Sequence, residues 1–147
     1  GDCRCLFRAV HRAIQDPNNS VKRDVRGEAL DEAVKTKERL GADQLRQSCC
    51  DLMAQRIEEL EAYLAGAEPA QKYVERMRDH LAWGDAICIK FLADLVVRPI
   101  QVYAWNSSLG QIFDAGLHEP QNEGQHSTMP ITVWYNGRSH YDLISSQ

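Results

Sequence analysis

Cys5 opens a stretch in which Leu6, Val10 and Ile14, with Ala9 and Ala13, recur at helical spacing. A thiol becomes a nucleophile when it ionises, and the unpaired N–H groups and dipole at a helix N-terminus favour that charge. The same N–H groups can hold the oxyanion of a tetrahedral intermediate. At the other end of the chain, His140 and Asp142 lie two residues apart in a segment that reads as a strand. Their side chains therefore share one face, while Tyr141 and Leu143 take the other. A carboxylate beside an imidazole fixes its ring and tautomer and leaves the second nitrogen to face a nucleophile. Taken alone, Cys5 reads more readily as a buried thiol at the head of an amphipathic helix, and His140 with Asp142 as a solvated strand end. Together they supply the parts of a cysteine-nucleophile site.

These residues need elements to bring them together. The first helix should run over 5–15 and stop before Pro17. A second spans 20–41, with Ser20 as N-cap and Gly41 as its end, and a third spans 43–65, carrying Leu45, Cys49, Met53, Ile57, Leu60 and Leu64. Shorter helices follow over 70–81, with Tyr73, Val74, Met77 and Leu81, and over 85–95, with Asp85 as N-cap and Arg98-Pro99 as the stop. From Pro99 the period changes to two. Residues 99–105 and 111–115 flank a turn at 106–110 and form one predicted hairpin. A polar loop covers 116–128, after which 131–135 leads through Asn136-Gly137 into a return strand past His140 to Ile144. Helices first and antiparallel strands last give an α+β domain over 1–147, with a helical middle at about 16–81.

Composition narrows the function classes. The chain has 147 residues, 17 Lys+Arg against 21 Asp+Glu, a net charge of −4, and 44% hydrophobic residues. That is enough for one core without disulfides or metal. The mild acidity and lack of a long basic run argue against nucleic acid as a partner. No stretch approaches the roughly 20 apolar residues of a membrane span. Cys3, Cys5, Cys49, Cys50 and Cys88 are odd in number and form no CxxC pair, which points to a reducing compartment and away from a structural zinc site.

Asp2-Cys3-Arg4-Cys5-Leu6-Phe7-Arg8-Ala9-Val10 resembles the Asp-Gly-x-Cys-Leu-Phe-Arg-Ala-Val nucleophile motif of the ovarian tumour (OTU) family of cysteine deubiquitinases. Two further blocks follow in the family's order. Trp83-Gly84-Asp85 with Arg98-Pro99-Ile100-Gln101-Val102-Tyr103 is similar to its middle block, and Trp134 through Ile144 to its histidine block. The resemblance implies a papain-like α+β fold with helices packed around a small, mostly antiparallel sheet. It makes Cys5 the nucleophile, His140 the general base and then acid, and Asp142 the residue orienting His140. Asp2 is left as support for the oxyanion loop or as an alternative acid. Only Cys5, not Cys3, is followed by Leu-Phe, which sets the register. Substrate contacts would fall to Cys3, Arg4, Trp83, Gly84, Trp134 and Tyr135.

No cofactor is implied. The expected partner is ubiquitin or a polyubiquitin chain, or a ubiquitin-like modifier, met by a monomer in the cytosol (a host's cytosol for a bacterial effector or viral enzyme). The expected chemistry is hydrolysis of the isopeptide bond after the terminal Gly of ubiquitin, and the 147 residues should be little more than the catalytic domain. Where the family usually has Gly, this chain has Cys3. If that position needs φ > 0, its side chain costs on the order of 1 kcal/mol and alters the oxyanion loop. The alternatives are therefore an inactive ubiquitin-binding module, or a cysteine hydrolase on another ubiquitin-like or acyl substrate.

Overall fold

The computed structural model describes residues 4–15, 32–121, 129–136 and 141–144. The expectations for Asp2, Cys3, Ser20, the loop over 122–128, Gly137 and His140 lie outside those residues. Helix α1 (Cys5–Gln15) forms where the apolar spacing predicts it and buries Leu6, Phe7 and Val10 completely. Helices α2 (Glu32–Gln55), α3 (Ile57–Leu64), α4 (Ala70–Arg78) and α5 (Ala86–Val96) follow. Strands β1 (Ile100–Asn106), β2 (Gln111–His118), β3 (Ile131–Tyr135) and β4 (Tyr141–Leu143) complete the chain. Among the described residues, no helix is long and apolar enough to cross a membrane.

Three helix boundaries differ from the sequence reading, each for a physical reason. Gly41 does not end a helix, because α2 runs straight through it. A Cβ there would lie 2.2 Å from Cε1 of His11, so glycine lets α1 cross close by. That packing outweighs the roughly 1 kcal/mol that glycine costs a helix interior. The single helix expected over 43–65 instead breaks at Arg56, whose φ of −117° and ψ of 49° leave the helical region. Its guanidinium reaches Asp94 Oδ2 on α5 at 2.6 Å, while Asp94 Oδ1 accepts the Gln121 N–H at 2.7 Å. One carboxylate thus ties the α2–α3 junction to the chain leaving β2. Helix α4 stops at Arg78, not at Leu81, because Asp79 turns to extended geometry and its carboxylate accepts the Leu81 N–H at 2.9 Å. Leu81 is exposed and adds nothing to the core.

The sheet order is β2-β1-β3-β4. Both predicted hairpin pairings occur, β1 with β2 and β3 with β4, each antiparallel. The parallel pairing of β1 with β3 was not foreseen and makes the sheet mixed. Strand β2 also continues to His118 past a bulge opposite Val102/Tyr103, so residues 116–118 belong to the sheet and not to the expected loop. Ile100, Val102, Ala104, Ile131, Val133 and Tyr141 are buried on one sheet face. Of these, Ile100, Val102, Ile131, Val133 and Tyr141 join the helix residues Leu6, Phe7, Phe91 and Leu92 in one core.

Candidate active site

Helix α1 lies antiparallel along α2, held by a ladder of charges. Arg4 Nε meets Asp43 Oδ1 at 2.7 Å, Arg8 Nη2 meets Glu38 Oε2 at 3.7 Å, and Arg12 Nε meets Glu38 Oε1 at 3.2 Å. Arg12 and Glu38 are both buried, so each charge depends on the other for the solvation it has lost. Cys5 stands at the first position of α1 and is 7% exposed.

The strand β4 is short and lies at the sheet edge, where alternate amides face away from β3. Ile144 N–H points inward to Thr132 O at 2.9 Å. The amides of Tyr141 and Leu143 face outward, and both find side-chain acceptors. Tyr141 N–H donates to Cys5 Sγ at 3.3 Å, and Leu143 N–H donates to Asp142 Oδ1 at 2.9 Å. The residue directly after His140 is therefore bonded to the sulfur of Cys5, although 136 positions separate them.

Asp142 pairs across the sheet with Trp134, which in turn neighbours Tyr103, and residues opposite one another share a face. Its side chain is 45% exposed, and Oδ1 lies 4.0 Å from Arg12 Nη1. The remaining sequence-predicted residues divide by role. Arg4 is engaged by Asp43, and the Tyr135 ring stacks on Tyr141 at 4.7 Å between centroids. Trp83 stands 44% exposed at the entrance to α5. Gly84 is pressed against α1, where a Cβ would sit 2.6 Å from Leu6 Cδ2. Asp2, Cys3 and His140 fall outside the described residues. A cavity of about 440 Å³ lined by Ile57, Glu61, Glu68 and Gln71 at the α3–α4 turn contains none of these residues.

The other described cysteines differ in character. Burial pushes Cys50 up to about 11 and Cys88 up to about 12, and it raises Cys49 well above the ordinary thiol value. These thiols stay protonated at neutral pH and serve as packing. Among the described residues, no group of His, Cys, Asp and Glu is arranged to hold a metal ion.

Sequence reasoning missed the buried charged partners Arg12, Glu38 and Arg46, and it named Tyr73 for the apolar face of its helix without the bond from its hydroxyl to Asp85. A signal for the first existed, since Arg4, Arg8 and Arg12 recur every four residues beside the apolar face of α1 and mark a basic stripe that needs an acidic neighbour.

Burial also lowers the pKa of His11, with Lys37 adding to that shift and Glu38 opposing it. Burial followed by Lys90 does the same for His118. A histidine whose folded pKa lies below its unfolded value resists protonation in the native state, so the unfolded chain takes the proton first. Stability should be fully present above the ordinary value of 6.5 and fall as pH drops below it. Denaturant midpoints at pH 7.5 and 5.5 check this, and His118→Gln should flatten the slope. An unchanged slope in that variant would remove His118 from the account.

The head of α1 and the start of β4, the elements that carry the cysteine and histidine blocks of the sequence, thus meet at one hydrogen bond. The model of the OTU-like cysteine protease family matches residues 1–141, and the chain belongs to that family. It is 27% identical over 143 residues to the ovarian tumor domain-containing deubiquitinating enzyme 6 of Arabidopsis thaliana, covering 97% of this chain and only 22% of the relative. Among solved structures, the OTUD1 OTU domain aligns with TM-score 0.63 at 14% identity, covering 97% of this chain and 79% of that one. The Hazara virus OTU bound to ubiquitin aligns with TM-score 0.61 at 13% identity, covering 99% and 78%. The OTU deubiquitinase of Wolbachia pipientis wMel bound to ubiquitin gives 0.60 at 14%, covering 99% and 91%. Likeness at such identity shows the fold.

Proposed function

We propose that the chain is a cysteine-dependent deubiquitinase that hydrolyses the isopeptide bond after the C-terminal Gly of ubiquitin through a thioester intermediate. The observation that carries this reading is the hydrogen bond from Tyr141 N–H to Cys5 Sγ at 3.3 Å, which brings the strand of the histidine block onto the nucleophile's helix. Family membership supports the thiol chemistry, and the neighbours solved with ubiquitin support the substrate class. The odd number of cysteines, with no CxxC pair, is our ground for placing this chemistry in a reducing, cytosolic setting.

In this mechanism, thiolate Cys5 attacks the isopeptide carbonyl and forms the C–S bond. The first-turn N–H groups of α1 hold the oxyanion. The C–N bond then breaks as His140, oriented by Asp142 or by Asp2, gives its proton to the departing lysine amine. Water, deprotonated by the same imidazole, attacks the thioester, and the C–S bond breaks to return the thiol. The test is to incubate the protein with ubiquitin carrying a C-terminal thiol-reactive group and, separately, with diubiquitin. The expected result is an adduct mapped to Cys5 and diubiquitin cleavage. Folded protein that binds ubiquitin yet gives neither result would instead be an inactive ubiquitin-binding module.

A further inference from the structure

Arg46, on α2, is the largest fully buried side chain among the described residues, at 1% exposure. Burying a guanidinium costs several kcal/mol unless its donors are met. Here Nη1 donates to Met77 O at 2.9 Å and Nη2 to Ala82 O at 2.9 Å. The Phe7 ring lies 4.4 Å below the guanidinium carbon. Gln47 adds a neighbouring bond, donating to Arg78 O at 2.9 Å. The last carbonyls of α4, which have no partner within their own helix, are thus gripped by adjacent side chains of α2.

What Arg46 holds is the segment that touches the nucleophile's helix. Ala82 is followed by Trp83 and Gly84, and Gly84 backs onto Leu6 and Phe7 so closely that a Cβ would stand 2.6 Å from Leu6 Cδ2 and 3.3 Å from Phe7 Cε2. Leu6 and Phe7 are the two residues after Cys5, and both are wholly buried. One guanidinium therefore contacts both sides of this junction, with Nη2 on the Ala82 carbonyl and its flat face on Phe7. A lysine, with a single ammonium on a flexible stem, cannot reproduce two directed bonds and a stacked plane together.

We propose that Arg46 is a positioning residue for the active site: it fixes the Trp83–Gly84 segment against the first turn of α1 and so sets the placement of Cys5. The inference rests on the thiol reading of Cys5 given above, and its test separates the two. Arg46→Lys is measured well below its unfolding temperature, beside Leu60→Ala, a buried substitution on α3 that lowers stability without touching this junction. Two readouts are taken, kcat/KM on a ubiquitin substrate and the pH profile of iodoacetamide alkylation at Cys5. For Arg46→Lys we expect kcat/KM to fall about tenfold. Its alkylation profile should move upward, slowing the reaction at pH 7 about threefold as the thiolate loses aligned N–H groups. Leu60→Ala should match wild type in both.

If Arg46→Lys does not fold, Gly84→Ala displaces the same junction with Arg46 intact and should give the same shifts. Wild-type profiles in a folded Arg46→Lys, or in Gly84→Ala where that variant stands in for it, would overturn the proposal. Alkylation needs no ubiquitin. A wild-type protein that alkylates at Cys5 but cleaves nothing would refute the deubiquitinase reading while leaving the positioning role to be judged on the alkylation profile.

Discussion

On the function proposed above, Cys5→Ala is expected to lower hydrolysis of ubiquitin conjugates by roughly 10⁴-fold or more, because that reading forms the thioester on this sulfur. The fold should survive. Cys5 loses one heavy atom and one acceptor, the sulfur bonded to Tyr141 N–H, in a core whose remaining contacts are unchanged. Cys5→Ser keeps the volume and an acceptor, and should be as inactive and closer to wild type in stability, since a serine hydroxyl stays protonated where a thiol ionises. Cys3→Ala should keep most of the activity, as the Leu6-Phe7 pair that buries the helix head follows Cys5 alone. Initial rates on diubiquitin with each variant check this. Activity retained in Cys5→Ala and lost in Cys3→Ala would reverse the register.

Asp85→Ala is expected to destabilise the fold by about 2–4 kcal/mol. The Asp85 carboxylate caps α5 by accepting the Cys88 N–H at 3.1 Å, and it also accepts the hydroxyl of buried Tyr73 at 2.7 Å. Losing a cap costs about 1 kcal/mol, and a buried hydroxyl left without its acceptor costs about 1–3 kcal/mol more. Burial, Cys88 and Asp85 all push the Tyr73 phenol well above its ordinary pKa, so it remains a donor at every working pH. Tyr73→Phe removes the hydroxyl together with its need. The double variant should therefore be less destabilised than the two single changes summed, by about 1 kcal/mol or more. Strict additivity in denaturant titrations would mean that Asp85 and Tyr73 are not coupled.

The parts of the fold legible in sequence were those written by local periodicity and caps. The apolar face of α1, the Asp85 cap, the Pro99 stop and both hairpins needed only neighbours within a few residues. What escaped depended on partners far along the chain. Gly41 reads as a helix end until His11 of α1 is known to lie against it, and Arg56 reads as one more helical residue until Asp94 draws it out. The parallel pairing of β1 with β3 has no local mark at all, because it joins residues 31 positions apart with β2 between them in the chain. The candidate site follows the same division. Cys5 and Asp142 could be named from their motifs, whereas the buried Arg12–Glu38 pair near Asp142 and the Arg46 staple under Phe7 join residues 26 to 39 positions apart and longer.

The bond between Tyr141 and Cys5 has a consequence for solubility as well as for chemistry. An unprotected strand margin invites another chain to add to it, and proteins usually guard such margins with charge, proline or a covering helix. Here α1 packs along β4, and the sulfur of its leading residue takes the amide that an incoming strand would use. The Asp142 carboxylate takes the next outward amide, from Leu143. The residues to which we assign the cutting of a bond therefore also keep the β4 edge of the sheet from being extended, and a chain that loses Cys5 from its seat loses part of its guard against self-association.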